Sequence, residues 1–327
     1  MLLKSEAAGI FFPAAFVLIS LQPKTETMEA RIGELAALFT AVCWTVTAIT
    51  FESASRKVGS VPVNIIRLVM ALVLLSLFSW IRRDMPFPTD ASTYNITWLA
   101  LSGLVGFVVG DLFLFKAFTV IGSRMSLLIM TLVPPITAFA GWLIMGEILQ
   151  WIHFGGMTLT LSGIAMVILH KQMQRSKPGQ LPEKIPLPGI IFALLGATGQ
   201  AIGLVLSKYG MQDYDAFSAT QIRVIAGIIG FAIVISFFRK WGAVNLALKN
   251  KTALWLMLLG ATFGPFLGVS SSLIAVQYTA TGIASTIMSV SPILILPATY
   301  LLYKQQITWK ELIGAVVSVA GVALFFI

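Results

Sequence analysis

Few residues in this chain can do chemistry, and the ones that can stand in unusual places. Asp111 lies within "GFVVGDLFLFK", residues 106–116, inside an apolar run, where a carboxylate at mid-bilayer costs about 2.5–3.5 kcal/mol on insertion scales. A group kept at that cost is a candidate to bind a substrate amine or to carry a proton. Lys116, five residues on, falls on a different helical face and offers no good internal partner. Glu52 closes one apolar run and Arg67 opens the next, so both lie near one membrane surface and are placed to pair. Lys208 and Arg223 stand 156 residues further on. Both are positive, and they could receive a substrate carboxylate or phosphate unless Asp213 and Asp215 offset them. Glu147 follows Gly146 at the end of "LIMTLVPPITAFAGWLIMGE", residues 128–147, where the helix dipole disfavours a carboxylate. It could serve as a gate or as a cap on the following helix, or be placed for structure alone. Trp44, Gln200, Ser271, Gln277, Ser285 and Ser289 are polar groups within apolar runs. They could line a binding site or hold helices together.

Catalytic and metal sites have no comparable candidates. Cys43 is the single cysteine and reads as a packing residue; His153 and His170 lie near run ends without a third ligand. No Gly-x-Ser-x-Gly elbow or phosphate-cradling loop occurs. "VVGD" faintly resembles the Gly-Asp of membrane aspartyl proteases, but no second membrane aspartate accompanies it. The expectation is a protein that is not an enzyme and has no cofactor. An intramembrane enzyme and a non-transporting membrane scaffold are the alternatives.

The elements that hold these residues are set by composition. The 327 residues are 57% hydrophobic and 11% charged, with a mean hydropathy of +0.91, whereas soluble domains carry about 25% charged residues. The lipid bilayer is therefore the expected environment. The charge of +9 sits in gaps between apolar runs, which argues against nucleic acid. Ten runs of spanning length lie near 32–51, 62–81, 97–118, 125–145, 151–170, 189–208, 218–238, 253–276, 282–303 and 307–327. Residues 1–30 form an N-terminal extension with one short apolar stretch, an eleventh helix being an alternative, and 171–187 form a polar linker.

The two halves, 31–170 and 188–327, are copies. An offset of 156 lays Gly33 on Gly189, Ala37 on Ala193 and Arg67 on Arg223; 157 lays Trp98 on Trp255; 158 lays Pro134 on Pro292 and Trp151 on Trp309. Five spans per copy is an odd number, so the second copy enters from the opposite side. The fold class is thus an all-α membrane protein with ten transmembrane helices in two inverted five-helix repeats. Pro134, Pro135 and Pro292 interrupt the fourth and ninth spans, and freed carbonyls at that depth must face protein or a wet cavity.

Residues 128–170 and their second copy, "SVSPILILPATYLLYKQQITWKELIGAVVSVAGVALF", resemble the EamA-like branch of the drug/metabolite transporter superfamily, as do "GFVVGDLFLFKAFTVIGSRMSLLI", "LSKYG" and "NIIRLVMA". The resemblance spans about residues 30 to 327. It implies a ten-helix secondary transporter of small metabolites, often an exporter of amino acids or related compounds, working by alternating access at a central site. Glu52 departs from the basic residue common there, and Gln305 stands where the first copy has Glu147. The expected partners are lipid, a small-molecule substrate and, as a candidate, protons. The expected place is a bacterial inner membrane, crossed many times. Thirteen basic loop residues, from Arg56 and Lys57 to Lys304 and Lys310, face six on the N-terminal side, which favours the thirteen as cytoplasmic.

Overall fold

The computed structural model describes residues 28–121, 126, 129–173, 186–291, 293–294 and 308–324. The N-terminal extension up to residue 27, most of the linker, Pro292 and Gln305 lie outside the described residues. Every regular element among the described residues is helical: α1 Met28–Val58, α2 Ser60–Arg83, α3 Thr93–Val120, α4 Val133–Met145, α5 Trp151–Met173, α6 Leu187–Met211, α7 Ala216–Phe237, the short α8 Trp241–Ala247, α9 Lys251–Tyr278, α10 Thr281–Met288 and α11 Trp309–Ala323. Six of them, α1, α2, α3, α6, α7 and α9, are long and apolar enough to cross a membrane. Their outer faces carry large apolar groups such as Ile81, Phe237 and Trp255, a surface suited to lipid. The chain is a multi-pass membrane protein.

Local chemistry sets the helix ends. Gly59 adopts φ 88° between α1 and α2, a backbone open mainly to glycine. Ser92 and Asn95 form a reciprocal cap on α3, Asp215 caps α7 and Asn250 caps α9.

The caps also refine the repeat. Ser92 and Asn250, and the bounds of α3 and α9, share an offset of 158, so the match of Trp98 to Trp255 is one residue out of register. With that offset Gly106 falls on Gly264 and Gly110 on Gly268. Inside both helices the backbone widens to a π-helix at equivalent positions, Leu104–Asp111 in α3 and Thr262–Val269 in α9. Helix four also breaks elsewhere than the prolines suggest. Its turn is at Thr131 and Leu132, and Pro134 and Pro135 sit in the first turn of α4, where a missing N–H loses nothing. A matching turn at Ser289 and Val290 follows α10.

Glycine brings α3 and α6 into contact. A methyl group added to Gly199 would lie 2.8 Å from the Gly110 Cα, and one added to Gly203 would lie 2.8 Å from the Gly106 Cα. Ser102 Oγ donates to the Gly203 carbonyl at 2.7 Å alongside. At the symmetry-related contact, between α1 and α9, Cys43 and Thr47 take the places of the α6 glycines, against Gly268 and Gly264. Cys43 is buried there as a packing residue.

The helix polarities follow from contacts at one end of the bundle. Gly33, near the start of α1, abuts Thr279 after α9, and Lys208, near the end of α6, donates to the Thr279 carbonyl at 2.8 Å. The first helix of one copy thus begins where that of the other finishes.

Candidate functional site

A cavity of about 190 Å³ lies where the two copies meet, against the ~10–15 Å³ that one water needs. The π segments of α3 and α9 and the turns at Thr131 and Ser289 all border it. Phe51, Phe107, Phe115 and Phe118 form its apolar wall. Three charged side chains reach it among the described residues: Arg67, Asp111 and Arg223.

Asp111 closes the α3 π segment, and each of its carboxylate oxygens has a partner. Arg67 Nη2 of α2 donates to Oδ2 and Gln200 Nε2 of α6 to Oδ1. The close approach of α3 and α6 at Gly110 and Gly199 is what brings Gln200 within reach. Arg67 is held from behind by Asn64 Oδ1 at 3.1 Å, with its guanidinium carbon 5.0 Å from the Phe51 ring centre and 4.9 Å from that of Phe115. Arg223 of α7 is 4% exposed. Its guanidinium lies 5.0 Å over the Phe107 ring, and its Nε has no hydrogen-bond partner.

Other polar residues fall into a second group at the end of the bundle where α1 begins. Lys208 Nζ donates to Glu147 Oε1 at 2.7 Å, and Glu147 Oε2 accepts from the Thr281 amide at 2.9 Å and its hydroxyl at 2.6 Å. Glu147 thereby caps the N-terminus of α10, the favourable end of a helix for a carboxylate, rather than the following helix. Gly146 turns the chain to allow this, at φ 67°. Thr281 Oγ1 also reaches the Thr137 carbonyl at 3.4 Å, and Thr137 Oγ1 meets Ser285 Oγ at 2.6 Å on the cavity wall. At the same end Arg82 pairs with Asp215, and Arg83 with Asp90 and Ser218, tying α2 to α7.

Of the residues singled out from sequence, Trp44, Asp111, Gln200, Arg67, Arg223, Ser285 and Ser289 line the cavity. Lys208 and Gln277 do not; they border a shallower hollow beyond the Glu147 cluster. Ser271 is buried in α9 while its neighbour Ser272 reaches the cavity. Pro134 is buried and Pro135 exposed, and neither lines the cavity, which Thr131 and Val133 border instead. The expected pairing of Glu52 with Arg67 does not form, because Glu52 meets Arg56 one turn along α1 at 2.8 Å. Lys208 does not lack a partner either, since Glu147 supplies one. Asp215 is engaged by Arg82, and Asp111 is the carboxylate whose charge acts on Arg223. The aromatic wall was not foreseen: phenylalanines in a membrane span carry no signal until helix faces are known. Asn64 was within reach of sequence reasoning, being one turn from Arg67 on the same face.

A sequence model of the EamA-like transporter family matches residues 31–169 and 187–327, that is, both copies. Comparison with curated proteins gives no match. Among 28 chains of solved structures that match, one described only as "Crystal structure of protein" superposes with a TM-score of 0.67 at 15% identity, over 90% of this chain and 96% of that one. At that identity the likeness concerns the fold.

Proposed function

The chain belongs to the EamA-like transporter family, and from that premise we propose that it exports small polar metabolites, amino acids or related compounds, by alternating access to the cavity between its repeats. In this reading ten membrane-spanning helices form two five-helix units of opposite orientation about an axis in the membrane plane. The observation that carries the reading is the convergence of four irregular stretches on one charged cavity. The π segments of α3 and α9 and the turns at Thr131 and Ser289 are symmetry mates, and helix interruptions meeting near mid-membrane are how such carriers build sites.

The cavity and the Glu147–Lys208 cluster lie toward opposite ends of the bundle. Phe51, Phe118 and Met130, near the ends where α1 and α3 finish and the fourth helix begins, line the cavity. The stack from Ser285 through Thr137, Thr281 and Glu147 to Lys208 separates it from the other end. Arg56, Lys57, Arg239, Lys240, Lys249 and Lys251 belong to the end nearer the cavity, an excess of basic residues that favours this end as cytoplasmic, so this state receives substrate from the cytoplasm. Substrate binding then favours a state in which the stack parts and the cytoplasmic side closes.

The test is flux through the full-length protein in proteoliposomes across a metabolite panel, with and without a pH gradient, for wild type and Asp111→Asn. Substrate-specific, saturable flux lost in the variant is expected. Unchanged flux in Asp111→Asn removes Asp111 from the mechanism, and a panel without flux removes the carrier reading. Acceleration by the pH gradient identifies protons as the coupled ion.

A further inference from the structure

We infer that the cavity is an organic-anion site, selective for monocarboxylates with an apolar body and held by the Arg223 guanidinium; this rests on the carrier reading only in taking the cavity as the substrate's resting place. The charge balance makes the first argument. Arg67, Arg223 and Asp111 are the charged groups that line the cavity among the described residues, which leaves a formal charge of +1 in a site walled by phenylalanine. An uncompensated buried cation is costly, and a monoanion entering the cavity removes that cost.

Geometry makes the second argument. Asp111 is engaged on both oxygens, by Arg67 and by Gln200, so it is poorly placed to take a substrate ammonium. Arg67 is engaged as well, its Nη2 by Asp111 and its Nε by Asn64. Arg223 is different: it is 4% exposed, lines the cavity, and its Nε is unpartnered. A guanidinium fork in that condition matches a carboxylate with two parallel hydrogen bonds. Phe107 backs the fork, and Phe51, Phe115 and Phe118 line the space beside it, which suits an aliphatic or aromatic body. The Asp111 cluster thus positions helices, and Arg223 reads the ligand.

Three probes with the same ring and differing head groups separate the possibilities: 3-phenylpropionate, phenylalanine and 3-phenylpropylamine. Binding to the purified full-length protein in nanodiscs is measured by titration calorimetry, which avoids passive leak of the weak acid. The acid is expected to bind more tightly than the zwitterion, and the amine not at all. Arg223→Gln should weaken the acid about tenfold or more, as loss of a charged hydrogen-bond partner does, and Arg223→Lys by less. If Arg223→Gln does not fold, Arg223→Lys alone carries the test, since loss of the fork must still weaken the acid. Lys249→Gln, in a loop, serves as the control. Equal or tighter binding of the amine, acid binding insensitive to Arg223, or no binding of the acid overturns the assignment. Counterflow in proteoliposomes keeps the two readings apart. Acid that binds without any probe being transported leaves the anion site standing and removes the carrier. Amine transport without acid binding does the reverse.

Discussion

Arg67 and Asp111 stand 44 positions apart in sequence and bond in the interior. Sequence alone marks Asp111 as a costly intramembrane charge and places Arg67 and Arg223 near membrane surfaces, but does not say who pairs with whom, because that depends on how α2, α3 and α6 cross. Glu52 shows the opposite case. Its partner, Arg56, is one turn away, a local pair that the i,i+4 rule could have found. Breaking the buried pair from one side leaves a bare charge, so Arg67→Leu and Asp111→Leu should each cost about 3–5 kcal/mol in thermal unfolding. The double variant should cost less than their sum by roughly 0.5–3 kcal/mol; strict additivity would mean that the two do not act together. At the bundle end, desolvation alone would raise Asp90, yet hydrogen bonds from Tyr214 and Arg83 hold it below the usual carboxylate range. Asp215 likewise is held low, its desolvation outweighed by the Ser218 amide and Arg82. A carboxyl whose folded pKa is depressed stabilises the fold above its unfolded value, about 3.9, and loses that stabilisation as pH falls through the folded value. Unfolding temperature should therefore drop on acidification below about pH 4. Asp90→Asn with Asp215→Asn should flatten that part of the curve, and an identical acid response in the variant would show that these pairs do not govern it.

Helix positions were legible because apolar runs between charged gaps report spans directly, and both copies repeat them. The helix interiors were not. Nothing in "LVGFVVGD" distinguishes a π-helix from an α-helix; in "TFGPFLGV" Pro265, inside the helix, was the one available sign of an interruption and was passed over. Equivalent placement in the two copies ties the π geometry to the shared architecture rather than to either sequence. The prolines misled for a clear reason: a proline disrupts bonds on its N-terminal side, so the break lies at Thr131 and Leu132 and the prolines begin α4. Replacing Pro134 and Pro135 by alanine should then cost only about 0.4–1 kcal/mol each, through the freer unfolded chain. A larger loss in chemical denaturation would mean that the rings themselves hold the break open. Gly199→Ala should behave otherwise. Its added methyl would meet the Gly110 Cα at 2.8 Å, forcing α3 from α6 and loosening Gln200 from Asp111, at about 1–3 kcal/mol for overpacking. Gly155→Ala, which meets nothing within 4 Å, is the matched control.

At the scale of the whole molecule, the Glu147–Lys208 pair joins the fourth helix of one copy to the first helix of the other, and Glu147 also caps α10 through Thr281. Three helices are thus fastened by one carboxylate at the end away from the cavity. Sequence supplied Glu147 as a candidate gate and Lys208 as a candidate receiver of a substrate anion, and did not join them, because contact between helices of different copies is not written in either copy. The repeat is asymmetric here, with Glu52 as the mate of Lys208 and Gln305 as the mate of Glu147, so no charge pair of the same kind is available from the mates. The fastening should accordingly bias the molecule toward the state described. Spin labels at Ile148 and Asp213, both exposed and flanking the pair, report its opening. In Glu147→Gln the loss of a charged hydrogen-bond partner, about 1.5–3 kcal/mol, should raise the population at longer label distance by about tenfold or more. Lys208→Met should shift it in the same direction. Unaltered distance distributions in both variants would show that the carboxylate fixes α10 without governing which end of the bundle opens.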